Sequence, residues 1–254
     1  MKRKREGDDD KEERKKQKRE ESDDDESEER ESSEDDSDLE NSEEEDPPED
    51  ADVPEIEWPC TVTIIAKKFS GKTNMLYNLV KPSEWDNIFC VTRTKRTGNL
   101  DRLVHDKRCI LTDMSDRFLE ELIRHNEGFE HGSEPRTLIV FDDFAGTKWR
   151  ATSSLAMQQL ASSGRNSGIS MIFSAQDPKF VPTEVRRNTE YMCIGNNKAD
   201  IIEKLAKNNA TANLDKDTLH NQLVDISRTR DYRFVWMDDK QASWRVWKPA
   251  KLKD

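Results

Sequence analysis

Nowhere in the chain do about 20 apolar residues run together, and its first residues are charged rather than apolar, so neither a membrane span nor a signal peptide is expected. The four cysteines, Cys60, Cys90, Cys109 and Cys193, are scattered, with no C-x-x-C pair and no histidine at ligand spacing. That argues against a disulfide framework and against a structural zinc site. Three of them sit in or beside apolar, β-rich runs and read as small buried hydrophobes. No internal repeat is present, and a reducing compartment is expected.

Apolar residues are also scarce in the first fifth of the chain. Residues 1–50 hold 11 Lys and Arg against 26 Asp and Glu, whereas the remainder holds 31 against 28. From Glu21 to Asp50, Leu39 is the only large apolar side chain, too little buried surface to offset the entropy of ordering the segment. Residues 1–52 therefore read as a disordered charged tail and 53–254 as one folded domain, long enough to hide about 70% of its unfolded surface. Within the tail, Lys2-Arg3-Lys4-Arg5 and Lys15-Lys16-Gln17-Lys18-Arg19 are spaced like a bipartite nuclear import signal, which points to import receptors and the host nucleus. A solvated charge run and a nucleic-acid contact are the other readings of these clusters. The acidic block after them would repel phosphate and shield a basic surface. Its interspersed serines, such as Ser27 and Ser37, suit acid-directed phosphorylation.

After Pro59, apolar β-branched runs alternate with amphipathic stretches, the pattern of βαβ units on a parallel sheet. Strands are expected at Thr61–Ala66, Asn87–Thr92, Arg136–Asp142, Ile169–Ala175 and Tyr191–Ile194. Helices are expected at Gly71–Val80, Asp116–Asn126, Thr152–Ser162, Asp200–Asn208 and Asp217–Ile226. Two late strands, Arg230–Met237 and Ser243–Trp247, read as a hairpin closing one edge. The fold class is α/β: a P-loop NTPase with a mainly parallel central sheet flanked by helices, behind the acidic tail.

The first expected strand runs into Ala66-Lys67-Lys68-Phe69-Ser70-Gly71-Lys72-Thr73 and then a helix that includes Asn74. This is a Walker A loop, in which backbone N–H groups and a helix N-terminus cradle phosphates. Lys72 would reach the β- and γ-phosphates of ATP, and the Thr73 hydroxyl would bind Mg²⁺. Ala66 stands where the first glycine normally does, adding a Cβ that threatens to strain or reshape the loop. A second motif, Leu138-Ile139-Val140-Phe141-Asp142-Asp143, has the form of a Walker B strand. There Asp142 would hold Mg²⁺ and Asp143 would orient or deprotonate the attacking water. Gln176 ends a third strand that should lie between these two motifs, where it would sense the γ-phosphate. Arg165, Arg186 and Arg187 are each candidates for a charge supplied to a neighbouring subunit's nucleotide.

The order of these motifs resembles the poxvirus-type genome-packaging ATPases, a viral branch of the FtsK/HerA division of P-loop motors. The resemblance rests on Ala66–Thr73, on Asp142-Asp143, and above all on Ser163-Gly164-Arg165-Asn166-Ser167-Gly168-Ile169-Ser170-Met171-Ile172-Phe173-Ser174-Ala175-Gln176, with Val185-Arg186-Arg187-Asn188 after it. It covers roughly Thr61 to Asn197. It implies a homo-oligomeric ring that drives double-stranded DNA into a capsid with ATP, docked on a capsid or portal protein, with Arg165 as the trans-acting finger. In such a ring two basic segments at strand ends would touch DNA phosphates: Arg93, Lys95 and Arg96 after the second strand, and Lys148 and Arg150 around Trp149 after the Walker B strand. A nuclear nucleotide switch or scaffold without turnover competes with this reading through Ala66. A replication or mobilisation helicase would call for an origin-binding or nuclease domain, and none is visible in the sequence.

Overall fold

Strands that are apolar on both faces must be covered on both faces, and this requirement sets the layers of the molecule. The computed structural model describes residues 53–92, 100–112, 114–143, 154–229 and 231–251. Among these, eight strands form one sheet: β1 (Thr61–Ile65), β2 (Asn87–Thr92), β3 (Ile110–Leu111), β4 (Thr137–Asp142), β5 (Ile169–Ala175), β6 (Tyr191–Ile194), β7 (Phe234–Asp238) and β8 (Ser243–Trp247). Their order across the sheet is β3-β2-β4-β5-β1-β6-β7-β8. Every pairing from β3 to β6 is parallel, and only β6–β7 and β7–β8 are antiparallel. The late hairpin thus closes an edge as expected.

Side chains of β1, β4 and β5 are buried along their whole length. On one face Val62, Ile64, Leu138, Val140 and Ile172 pack with Met75, Leu76 and Leu79 of α1 (Lys72–Leu79). On the other, Ile139, Phe141, Met171 and Phe173 pack with α2 (Asp116–Glu127) and α3 (Leu155–Ser163), and the Phe141 and Phe173 rings stack at 4.9 Å. A third apolar cluster joins Ile65, Ile194 and Val235 to α5 (Ala199–Asn209) and α6 (Lys216–Thr229). Each large aliphatic side chain hidden in this way contributes about 1.5–3 kcal/mol, so the sheet centre is where the domain's stability concentrates.

Serines cap two of the helices. Ser115 accepts from Phe118 N at the head of α2, and Ser154 accepts from Met157 N at the head of α3, satisfying donors that a helix cannot satisfy itself. The expected elements are present with ends shifted by up to four residues: Gly71 caps α1 rather than joining it, α3 starts at Leu155 rather than Thr152, α6 runs on to Thr229 rather than Ile226, and the first late strand starts at Phe234 rather than Arg230. Two elements were not expected: β3, of two residues, and α4 (Thr183–Arg187), of five. Of the cysteines, Cys60, Cys90 and Cys193 are buried and Cys109 is partly exposed. Burial pushes the Cys90 thiol up to about 12, so it stays protonated as a small hydrophobe.

Candidate active site

Because β1, β4 and β5 are parallel, their carboxyl ends lie on one side of the sheet, and a crossover between them opens a crevice there. β5 sits between β1 and β4, as the sequence reading required for Gln176. The loop leaving β1 is pinned on both flanks: Ala66 N donates to Ala175 O at 3.1 Å, and Lys67 N donates to Asn196 O at 2.8 Å. Asn197 reinforces the second flank, its Nδ2 donating to Ile65 O and Gly195 O. Within the loop, Ser70 Oγ donates to Lys67 O at 2.6 Å. Gly71 then turns the chain into α1 at a φ of 86°, a left-handed torsion that glycine adopts without steric cost.

Lys72, the first residue of α1, is buried, and its Nζ donates to Ala66 O at 2.8 Å and Lys67 O at 3.1 Å. Its ammonium is thus held inside the curl of the loop. Burial draws its pKa below the usual lysine range, while Asp143 and Asp142 pull in the opposite direction. Thr73 follows, half-buried, on the next helical position. Lys68 and Phe69 face solvent at the loop's apex, with the Lys68 ammonium 4.8 Å from the centre of the Phe69 ring. Asn74 behaves differently from the rest of the expected cradle: its Nδ2 donates to Ala250 O at 2.7 Å, and Asn78 Nδ2 donates to the same oxygen at 3.1 Å. These bonds strap the end of the chain onto α1.

Ala66 does not bring the strain its sequence position suggested. Among the described residues the non-glycine positive φ values fall at Phe69, Asp143, Tyr232 and Ala242, and Ala66 is not one of them. Its side chain is fully buried in the core. Room for the methyl comes from Gly195, where a Cβ would lie 3.1 Å from that of Ala66 and 2.6 Å from the Phe234 ring.

At the end of β4, Asp142 is buried, with 8% of its surface exposed, and Asp143 follows at a left-handed φ of 50°. Burial raises the pKa of the Asp142 carboxyl, and neighbouring Asp143 adds to this, while the Ser174 hydroxyl and Lys72 oppose it. Gln176, one step beyond β5, donates through Nε2 to both carboxylate oxygens of Asp143, at 2.8 and 3.0 Å. A lysine, two acids and an amide from three adjacent strand ends are therefore brought together. A buried carboxylate with so little compensating charge suits a hard divalent cation with oxygen ligands, and the Thr73 hydroxyl is a second donor of the same kind. Asp142 and Thr73 would hold Mg²⁺, which supplies charge neutralisation for phosphate oxygens.

Arg165 lies elsewhere. It precedes β5, at the amino end of the strand, so the strand's seven residues separate it from Gln176, roughly 20 Å at a strand's rise per residue. Its NH1 donates to Glu190 Oε1 at 2.8 Å, and the side chain is half-exposed. Arg186 and Arg187, on α4, bond locally to Thr183 and Glu184 and face solvent. The DNA candidates Arg93, Lys95, Arg96, Lys148 and Arg150 lie outside the described residues. The strands that lead to them, β2 and β4, end at Thr92 and Asp142 on the side of the phosphate loop. The sequence reading missed Glu190, Asn196 and Tyr232, which belong to no motif and reach their places only through the strand order.

A family model described as Poxvirus A32 protein matches residues 56–239. No curated relative matches the chain. Among solved structures, B204, the DNA-packaging ATPase from Sulfolobus turreted icosahedral virus, aligns at 15% identity with a TM-score of 0.55, covering 76% of this chain and 98% of that one. The genome packaging NTPase B204 from Sulfolobus turreted icosahedral virus 2, in complex with ATP-gammaS, aligns at 14% identity with a TM-score of 0.53 over 76% and 98%. At this identity the likeness establishes a shared fold.

Proposed function

The chain belongs to the Poxvirus A32 protein family, and from that premise we propose that it is an ATP-driven translocase that packages double-stranded viral DNA into a capsid as a homo-oligomeric ring. The observation that carries this reading is the grip of Gln176 on Asp143 beside Asp142 and Lys72. A nucleotide's phosphates would replace the loop carbonyls as partners of the Lys72 ammonium. Asp142 and Thr73 would hold Mg²⁺. Asp143, with both oxygens fixed by one amide, is placed to orient a water and accept its proton, and Gln176 would couple that carboxylate to the γ-phosphate's presence. The B204 proteins, a genome packaging NTPase in complex with ATP-gammaS and a DNA-packaging ATPase, support the substrate and the task.

The finer parts of the proposal rest on sequence. Residues 53–254 form the motor and 1–52 a separate charged tail that import receptors read, placing the protein in the host nucleus and, by its task, at the virion. Basic segments around Arg93–Arg96 and Lys148–Arg150 would contact DNA, and a capsid or portal protein would anchor the ring. The competing switch without turnover drew on Ala66, whose torsion and packing now give it no support.

The test is ATP hydrolysis by the full chain with and without double-stranded DNA, over a range of protein concentration, beside Lys72→Ala. Turnover that DNA stimulates, that rises steeply with concentration and that drops at least a hundredfold in the variant is expected, as for loss of a charge clamp on transferring phosphate. Nucleotide binding with no turnover under any condition would return the switch reading to first place.

A further inference from the structure

Next to the phosphate loop lies a cavity of about 300 Å³ lined by Lys67, Phe69, Asn196, Ile226 and Tyr232, among others. Its size is at the lower end of small-molecule sites. The mechanism above does not use it. It is continuous with the phosphate site, because Lys67 and Phe69 belong to both and Tyr232 lies against Gly71, where an added Cβ would come within 3.1 Å of the tyrosine ring.

Two aromatic side chains are exposed here at a conformational cost. Phe69 is 85% and Tyr232 50% exposed, and their φ values of 62° and 61° are ones that bulky residues avoid. Strain of this kind persists where a ligand site requires it. Asn196 is the reverse case, a polar side chain only 9% exposed whose Oδ1 is buried without a hydrogen-bond partner. Its backbone carbonyl accepts from Lys67 N, which fixes the residue beside the phosphate loop. An unsatisfied buried amide is costly and calls for an explanation.

We propose that this cavity is the base subsite of the nucleotide site, that Tyr232 is its stacking surface, and that Asn196 selects adenine by pairing with the base's N6–N7 edge. An amide offers one acceptor beside one donor, the complement of adenine's N6 hydrogen and N7 lone pair. Guanine presents two acceptors, O6 and N7, on that edge and leaves the amide oxygen unpaired. The proposal rests on the phosphate loop holding a nucleoside triphosphate, and it adds which residue tells ATP from GTP there and by which edge of the base.

The experiment is equilibrium binding of ATP, GTP and inorganic tripolyphosphate to the full chain, in wild type, Asn196→Ala, Tyr232→Ala and Lys72→Ala. Wild type should prefer ATP by roughly tenfold, and Asn196→Ala should erase that preference with tripolyphosphate binding intact. Tyr232→Ala should weaken ATP and GTP alike by about tenfold, again sparing tripolyphosphate. A preference that survives Asn196→Ala overturns the assignment. The wild type provides a check free of any folding defect: 7-deaza-ATP, lacking the N7 acceptor, should bind several-fold more weakly than ATP, and equal binding overturns the edge that Asn196 is said to read. Tripolyphosphate binding that is absent in wild type, or unchanged in Lys72→Ala, would instead locate the failure in the phosphate loop and take the base subsite down with it.

Discussion

Asp142 keeps a carboxylate where little water reaches it, and that choice has a measurable cost. Its folded-state pKa lies above the ordinary value of 3.8, chiefly through burial, so the native state holds the proton to higher pH than the unfolded chain does. Stability contributed at this position therefore falls as pH rises through that interval. Asp142→Asn should abolish hydrolysis yet raise the thermal midpoint at pH 7 in buffer without nucleotide or Mg²⁺, with the gain fading as pH drops toward 3.8 and absent below it. Thermal melts of both proteins across pH check this, and a variant no more stable at neutral pH would mean that Lys72 and Ser174 already balance the charge. Lys72, Thr73, Asp142, Asp143 and Gln176 could be read from sequence because each is fixed by spacing to a strand end. Gly195 and Asn196 carry no such signal. Their importance comes from touching Ala66 and Lys67, contacts made across β1 and β6, whose sequence positions are far apart.

At the scale of elements, the strands and long helices were legible because burial on both sheet faces forces continuous apolar runs and each helix shows one apolar stripe. β3 and α4 were not, since two and five residues are too few to show a period. Asn126 shows a subtler limit. A polar residue in the last turn of α2 reads as solvent-facing, yet it is fully buried and its Nδ2 donates to Ser167 O at 2.8 Å and Pro135 O at 3.1 Å. One side chain thus ties the helix to the turns that launch β4 and β5. Asn126→Ala would take this donor from Ser167 O and leave Pro135 O only the Thr137 hydroxyl, and it should lower stability by about 1–3 kcal/mol in denaturant unfolding, with nucleotide affinity of the folded fraction unchanged.

For the whole molecule, the position of Arg165 decides what the arginine can do. It stands at the opposite ends of the strands from Lys72, so any nucleotide it serves belongs to another copy. Its partner Glu190 also lies 3.5 Å from Lys240 Nζ and accepts from Thr61 N, so the carboxylate would stay compensated were the arginine to leave it. A half-exposed pair of this kind contributes about 1 kcal/mol or less, small against a γ-phosphate. Arg165→Ala should abolish hydrolysis in the assembled protein, and mixing it with Asp143→Asn should restore part of the rate, since some interfaces then join an intact arginine to an intact site. Mixtures that recover nothing at any ratio would remove Arg165 as the finger.

The place of β1 at the centre of the sheet sets a timetable for biosynthesis. Thr61 meets Met171 in β5, which leaves the ribosome roughly 110 residues later, an interval of about 5–20 s at ordinary elongation rates. Until β5 and β6 arrive, the loop behind β1 has neither Ala175 nor Asn196 to hold it. The nascent chain therefore exposes an apolar strand for seconds, a natural substrate for chaperones, and cannot engage nucleotide before almost the whole domain has been made.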